Sequence, residues 1–108
     1  MKESEYYANG MTVVVPVFNR ALLIRRCLDS IYGQTYRPLS VIVVDNASTD
    51  STFSEVEAWI EAHVEEGFSI RLLSEERQGA AYARQKGLEH TLTDKVMFFD
   101  SDDVMRPG

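Results

Sequence analysis

Three carboxylates crowd the segment Asp100-Ser101-Asp102-Asp103, directly after the apolar run Val96-Met97-Phe98-Phe99. A buried strand that ends in Asp-x-Asp sets two negative side chains together at the edge of a sheet. Like charges that close resist joint ionisation unless a cation lies between them. Oxygen-only ligands suit Mg²⁺ or Mn²⁺, and those ions suit phosphates. The segment therefore reads as a divalent-metal site for a phosphorylated substrate. The bland alternative is a solvated turn in which Asp103 caps the next segment. Asp45 is the second candidate, placed where the run Val41-Ile42-Val43-Val44 emerges. Its carboxylate can accept a hydrogen bond from an imide N–H, such as that of a uracil ring. Equally, Asp45 can cap a turn while Asp50 helps start a helix.

Other side chains carry weaker signals. Phe18 can lie against a flat base or simply pack into a loop. Arg84 can meet a diphosphate or the acidic loop, or extend into solvent. His63 and His90 have no partners at metal-ligand spacing, and Trp59 reads as helix packing. There is no Gly-x-Gly-x-x-Gly and no Walker-type lysine loop, which disfavours dinucleotide and P-loop nucleotide sites.

The elements that must position these groups follow from hydrophobic periodicity. Met11 to Val17 is an apolar, β-branched strand, buried on both faces, whose pairing should end near Pro16 for want of an N–H. Asn19 is placed to cap a helix on which Leu23, Cys27, Leu28 and Ile31 recur, with Gly33 as its stop. Val41 to Val44 is a second buried strand. Thr52 and Glu55 have capping-box spacing, followed by Val56, Ile60 and Val64 on one face and Gly67 at the close. Phe68 to Leu73 is a third strand. Gln78-Gly79 opens a third helix whose small stripe, Ala80, Ala83 and Gly87 followed by Leu88, allows close packing. Val96 to Phe99 is the fourth strand. This βαβαβαβ order implies an α/β fold with a mostly parallel sheet and right-handed crossovers. Ligands of such sheets bind beyond the strands' carboxyl ends, where the strand order switches. Val17-Phe18-Asn19, Asp45 to Ser48, Arg77-Gln78-Gly79 and Asp100 to Asp103 all fall at those ends.

With 108 residues the chain can form one domain of modest core. Residues 1–10 read as a flexible lead-in and 11–108 as the domain. Hydrophobic residues at 44% and charged residues at 26% fit a soluble globular protein. The net charge of −6 argues against a nucleic-acid surface, which needs basic patches. A single cysteine, Cys27, excludes an internal disulfide and fits a reducing compartment. No apolar stretch is long enough to cross a bilayer, and no basic-then-apolar leader opens the chain.

Taken together, these pieces resemble the family 2 glycosyltransferases, which have the Rossmann-like GT-A fold. Val13 to Asn19 resembles the family's opening strand and turn, with Phe18 where Tyr is usual. Leu28-Asp29-Ser30-Ile31 with Gln34-Thr35-Tyr36 resembles its first helix and exit. Val43 to Asp50 resembles the second-strand motif, with Asn46 where Asp is more frequent. Gly79 through Ala83-Arg84 to Gly87 resembles the third-helix motif, with Gln85 where Asn is usual. Phe99-Asp100-Ser101-Asp102-Asp103 matches the metal motif. The likeness runs from about residue 11 to 107.

The resemblance implies transfer of a sugar from a nucleotide diphosphate sugar, most commonly a UDP-sugar, to a saccharide or lipid-linked acceptor hydroxyl, with inversion. It implies that Pro16, Val17, Phe18, Asn19, Asp45, Gly79, Arg84, Asp100 and Ser101 form the donor site. Asp100 and Asp102 would hold Mn²⁺ or Mg²⁺. In this family the catalytic base and the acceptor half lie C-terminal to the metal motif, so the base is expected beyond Gly108. The 108 residues are therefore expected to be a donor-binding half, truncated after the fourth strand and inactive alone. Self-association through an exposed face, and a place in the cytoplasm or at the cytoplasmic face of a membrane, are further expectations. Two rival functions are a haloacid-dehalogenase-like phosphatase, with Asp100 as nucleophile, and a nucleotide-binding module without turnover.

Overall fold

The computed structural model describes residues 10–106. The lead-in expected over residues 1–10 lies outside that range except for Gly10, which is already buried against Pro38. Gly108, where the domain is expected to end and beyond which the catalytic base is expected, also lies outside the described residues. The elements run β1 (Met11–Val17), α1 (Ile24–Tyr32), β2 (Leu39–Asp45), α2 (Thr52–Ala62), β3 (Phe68–Ser74), α3 (Ala80–Glu89) and β4 (Lys95–Phe98). The strands form one parallel sheet in the order β3-β2-β1-β4. The chain steps outward from β1 to β3, then returns to the free side of β1 with β4. The switch in strand order therefore falls between β1 and β4.

The β-branched runs form strands because both faces of the sheet are covered. Val13, Val15, Val17, Val41 and Val43 point one way, into a core with Ile24, Cys27, Leu28 and Ile31 of α1 and Val56 and Trp59 of α2. Val14, Ile42 and Val44 point the other way, onto Ala83 of α3. Two helices thus cover one face and one helix covers the other. Gly87 lets α3 lie close: a Cβ built there would sit 2.3 Å from Cγ1 of Val14.

Pro16 stays within β1 and pairs in register with Val44. The Val14 carbonyl accepts from Phe99 N, so alternate residues of β1 turn their polar groups toward β4. Pro16 shares that orientation, and β4 pairing in register with β1 stops at Val14, so the missing N–H costs no ladder bond.

Several expected details differ. Asn19 does not cap α1; Leu23 occupies the cap position, without a side-chain cap, and is 36% exposed. The buried stripe is Ile24, Cys27, Leu28 and Ile31, the full i, i+3, i+4, i+7 pattern. The capping box does not form. Ser51 precedes α2, the Thr52 hydroxyl accepts from Arg20 N and donates to Asp50, and Glu55 pairs with Arg25. Trp59 takes the buried position, donating to Asp29 Oδ1 at 2.8 Å and stacking on His63, while Val64 is 89% exposed beyond the helix end. Gly67, at φ +87°, turns the chain into β3 rather than closing α2, and its carbonyl accepts from Leu39 N. On α3, Ala83 and Gly87 are buried, whereas Ala80 and Leu88 are exposed.

The largest difference concerns β4. It is an edge strand with Val96, Met97 and Phe98 about 40% exposed, because α3 packs on β1 and β2 instead. Among the described residues, no helix is long and apolar enough to cross a membrane.

Gly87→Ala should destabilise the chain by about 1–2 kcal/mol, since overpacking Val14 outweighs the gain in helix propensity. Denaturant unfolding measures this; an alanine variant as stable as wild type contradicts the packing described.

Candidate functional site

All four strands end at one edge, and a cleft of about 310 Å³ opens there. Pro16, Val17 and Phe18 line it from β1, Asn46 from β2, Ala80, Ala83 and Arg84 from α3, and Asp100, Ser101 and Asp102 from the loop after β4. Arg20 also lines it. The cleft thus sits at the switch between β1 and β4. It combines an exposed aromatic ring, two arginines and two carboxylates.

The acidic loop begins at the carboxyl end of β4, and Asp103 N closes its turn on the Asp100 carbonyl at 3.1 Å. Oxygens of Asp100, Asp102 and Asp103 all lie within 4.8 Å of one another, and all three side chains are exposed. Among the described residues none of the three is ion-paired. An uncompensated set of oxygen donors fits a hard divalent cation, with Asp103 within reach beside Asp100 and Asp102. Cys27 lies beneath, its Sγ 3.6 Å from the Asp100 carbonyl. Burial first, then the charges of Asp103, Asp102 and Asp100, push the thiol up to about 12, so it remains a neutral donor.

Asp45 ends β2 and is buried. Oδ2 accepts from Ser48 N at 3.3 Å, so the turn-capping role is real. Oδ1 is buried with no hydrogen-bond partner among the described residues. A buried acceptor left unpaired is costly and calls for a donor. Asp50 also serves the local structure: Oδ1 accepts from the Thr52 hydroxyl and from Thr52 N at the start of α2, and these bonds, the hydroxyl's first, lower its pKa.

The remaining expected residues hold the loops together. Asn19, at φ +49°, accepts at Oδ1 from Thr49 N and Asp50 N, and its own N–H donates to Ser48 Oγ. The loop after β1 is thereby fastened to the loop after β2. Gly79, at φ +134°, precedes α3 and donates its N–H to Asn46 Oδ1. Neither Asp45 nor Gly79 lines this cleft, and Asn19 lines an adjoining one with Arg20 and Asp102; each holds a loop that lines the first.

Two residues without a sequence-based assignment matter here. Arg20 lies in the cleft lining with Arg84, and its position one residue after Asn19 on a strand-end loop was the available signal. Asn46 is a hub: Nδ2 donates to the carbonyls of Glu75 and Arg77, at 3.0 and 2.7 Å, and its own carbonyl accepts from Gln78. An aspartate at this position would lack that donor. The same loop is braced by Glu75, whose carboxylate accepts from the backbone and guanidinium of Arg77.

Comparison with known proteins agrees with this architecture. The family model for glycosyl transferase family 2 matches residues 12–108. This chain belongs to glycosyl transferase family 2. It is 37% identical over 99 residues to glycosyltransferase GlyA of Streptococcus pneumoniae, covering 86% of this chain and 13% of that protein. Mannosyltransferase PcManGT from Pyrobaculum calidifontis, solved in complex with GDP-Man and Mn²⁺, superposes with a TM-score of 0.77 at 40% identity, over 87% of this chain and 28% of that one. S. aureus TarS 1–349 in complex with UDP-GlcNAc gives 0.76 at 28% identity, over 88% and 27%. The chain thus spans less than a third of each of these relatives. The match also covers the three strand-end loops that a phosphatase reading leaves without a role.

Hydrogen bonds from Arg77 hold the Glu75 carboxyl down to about 2, from an ordinary 4.5. The unfolded chain protonates this group near 4.5 and the folded chain only near 2, so its stabilisation is complete above pH 4.5 and lost as pH falls toward 2. Glu75→Gln should flatten that part of the stability curve; a slope equal to wild type would contradict the brace.

Proposed function

We propose that this chain is the donor-binding portion of a metal-dependent glycosyltransferase. The whole enzyme would move a sugar, with inversion, from a nucleotide diphosphate sugar to an acceptor hydroxyl. The cleft at the strand switch carries this reading: Phe18, Arg20, Arg84, Asp100 and Asp102 share one lining. Phe18 offers a face for the base. Arg20 and Arg84 supply positive charge to the diphosphate. Ser101, buried in the same lining, brings the backbone of the acidic loop against the ribose and phosphates. A cation held by Asp100 and Asp102 would neutralise negative charge on the departing diphosphate.

We assign base selection to Asp45, which lies outside the cleft lining itself but next in the chain to the lining residue Asn46. The single unpartnered oxygen of Asp45 suits one N–H donor, as on the imide edge of uracil. Guanine presents two adjacent donors, and the relative solved with GDP-Man favours it as the second reading. Cytosine presents a ring-nitrogen acceptor at that edge, which a carboxylate repels. The cleft's own carboxylates belong to the acidic loop. We therefore assign the general base, and the acceptor site, to residues beyond Gly108. The greater length of the relatives supports that division. The exposed face of β4 is the surface we assign to contact with that acceptor-binding portion.

Isothermal titration calorimetry of the chain tests the donor site. UDP should bind more tightly with Mn²⁺ present, and more tightly than GDP or CDP. Asp102→Ala should remove about tenfold or more of the Mn²⁺-dependent gain. Asp45→Asn should weaken UDP by about tenfold, the worth of one hydrogen bond to a charged group. Nucleotide binding that ignores both Mn²⁺ and Asp102 would overturn the proposal.

A further inference from the structure

Among the described residues, no salt bridge holds the exposed carboxylates of Asp102 and Asp103 in the acidic loop. Its backbone is held instead from one face of α1. Cys27 Sγ contacts the Asp100 carbonyl at 3.6 Å, where the loop begins. Ser30 Oγ accepts from Met105 N at 2.7 Å, where it ends. The same hydroxyl donates to the Cys27 carbonyl at 2.7 Å, so both its roles are filled. Just past the helix, Gln34 Nε2 donates to the Arg106 carbonyl at 2.9 Å and to the Ser30 carbonyl at 3.2 Å. Positions 27, 30 and 34 recur at i, i+3 and i+7, so they share one side of α1 and its exit. The loop is thus gripped at entry and exit, with the three carboxylates between.

We propose that Ser30 and Gln34 are positioning residues for the cation: they fix the backbone on which Asp100, Asp102 and Asp103 sit. The inference rests on the function proposed above. A loop already held in its binding shape loses less conformational freedom when the ion arrives. Groups that orient metal ligands without touching the metal commonly carry a tenfold or larger share of its affinity. A purely structural role would look different. Ser30 and Gln34 also engage carbonyls at the end of α1, and loss of those contacts alone would lower thermal stability while leaving metal affinity unchanged.

Mn²⁺ titration of the 108-residue chain, followed by the electron paramagnetic resonance signal of free Mn²⁺, separates these roles. Ser30→Ala and Gln34→Met should each weaken Mn²⁺ binding by about tenfold, while Ser30→Thr, which keeps the hydroxyl, should restore it. UDP affinity without metal should fall far less than Mn²⁺ affinity, because Phe18, Arg20 and Arg84 of the nucleotide cleft lie outside the gripped loop. If the variants match wild type in Mn²⁺ affinity, the inference is overturned and the function stands. Metal-free and metal-bound UDP affinities falling by the same factor overturn it too. A wild-type chain that takes up no Mn²⁺ overturns both. Ser30 and Gln34 hold adjacent residues at the loop's exit through separate bonds, so the failure of one variant to fold leaves the other to decide.

Discussion

β1 is hydrogen-bonded on both sides by strands that run in its own direction. Parallel pairing cannot be made through tight hairpins, so each strand must return through a helix, and every strand ends at the same edge. The β-branched valines of β1 and β2 make this possible because they are apolar on both faces, and α1, α2 and α3 cover both. The contact of Gly87 with Val14 sets how closely α3 approaches, and α3 carries Arg84 into the cleft. The cleft is a consequence of this pairing, since β4 returns to the opposite side of β1 from β2.

The loops at that edge are polar, yet they are not loose. Asn19 binds the loop after β1 to the loop after β2, and Asn46 binds the loop after β2 to the loop before α3. Glu75 and Arg77 brace the latter, and α1 grips the loop after β4. Backbone and side-chain bonds thus join all four loops to the scaffold. Among the described residues, the acidic cluster makes no salt bridge and Oδ1 of Asp45 accepts no hydrogen bond. In the function proposed, a cation would answer the first and a base N–H the second, and a nucleotide diphosphate bound with metal would supply both together.

Much of this was legible in the sequence. The valine runs marked β1 and β2, since only strands covered on both faces are so uniformly apolar. The meeting of Phe18 with Asp100, Ser101 and Asp102 at one edge followed from βα order, whereas Arg84's place beside them was implied only by the family resemblance. Cap positions were not legible. Thr52 and Glu55 have capping-box spacing, but Arg20 N and Asp50 together occupy the threonine hydroxyl and Arg25 takes the glutamate. Arg20 lies 32 residues from Thr52 and Arg25 lies 30 from Glu55, so both contacts arise only on folding. Val64 has the spacing of a core residue, because periodicity cannot show that α2 ends two residues earlier. The exposure of β4 was hidden for a similar reason: Val96, Met97 and Phe98 read as buried, but burial depends on what packs outside the strand. Arg20 and Asn46 carry contacts that appear only when separate loops meet.

The central claim is that the acidic loop holds a cation against a diphosphate in the cleft between β1 and β4. Crystals of the chain grown with UDP and Mn²⁺, with diffraction recorded at the manganese absorption edge, address it most directly. An anomalous peak bounded by carboxylates of Asp100 and Asp102 and by both phosphates, with the uracil N–H on Oδ1 of Asp45, is the predicted result. Well-ordered nucleotide bound away from the acidic loop, or in the cleft with no manganese peak beside it, would contradict the account.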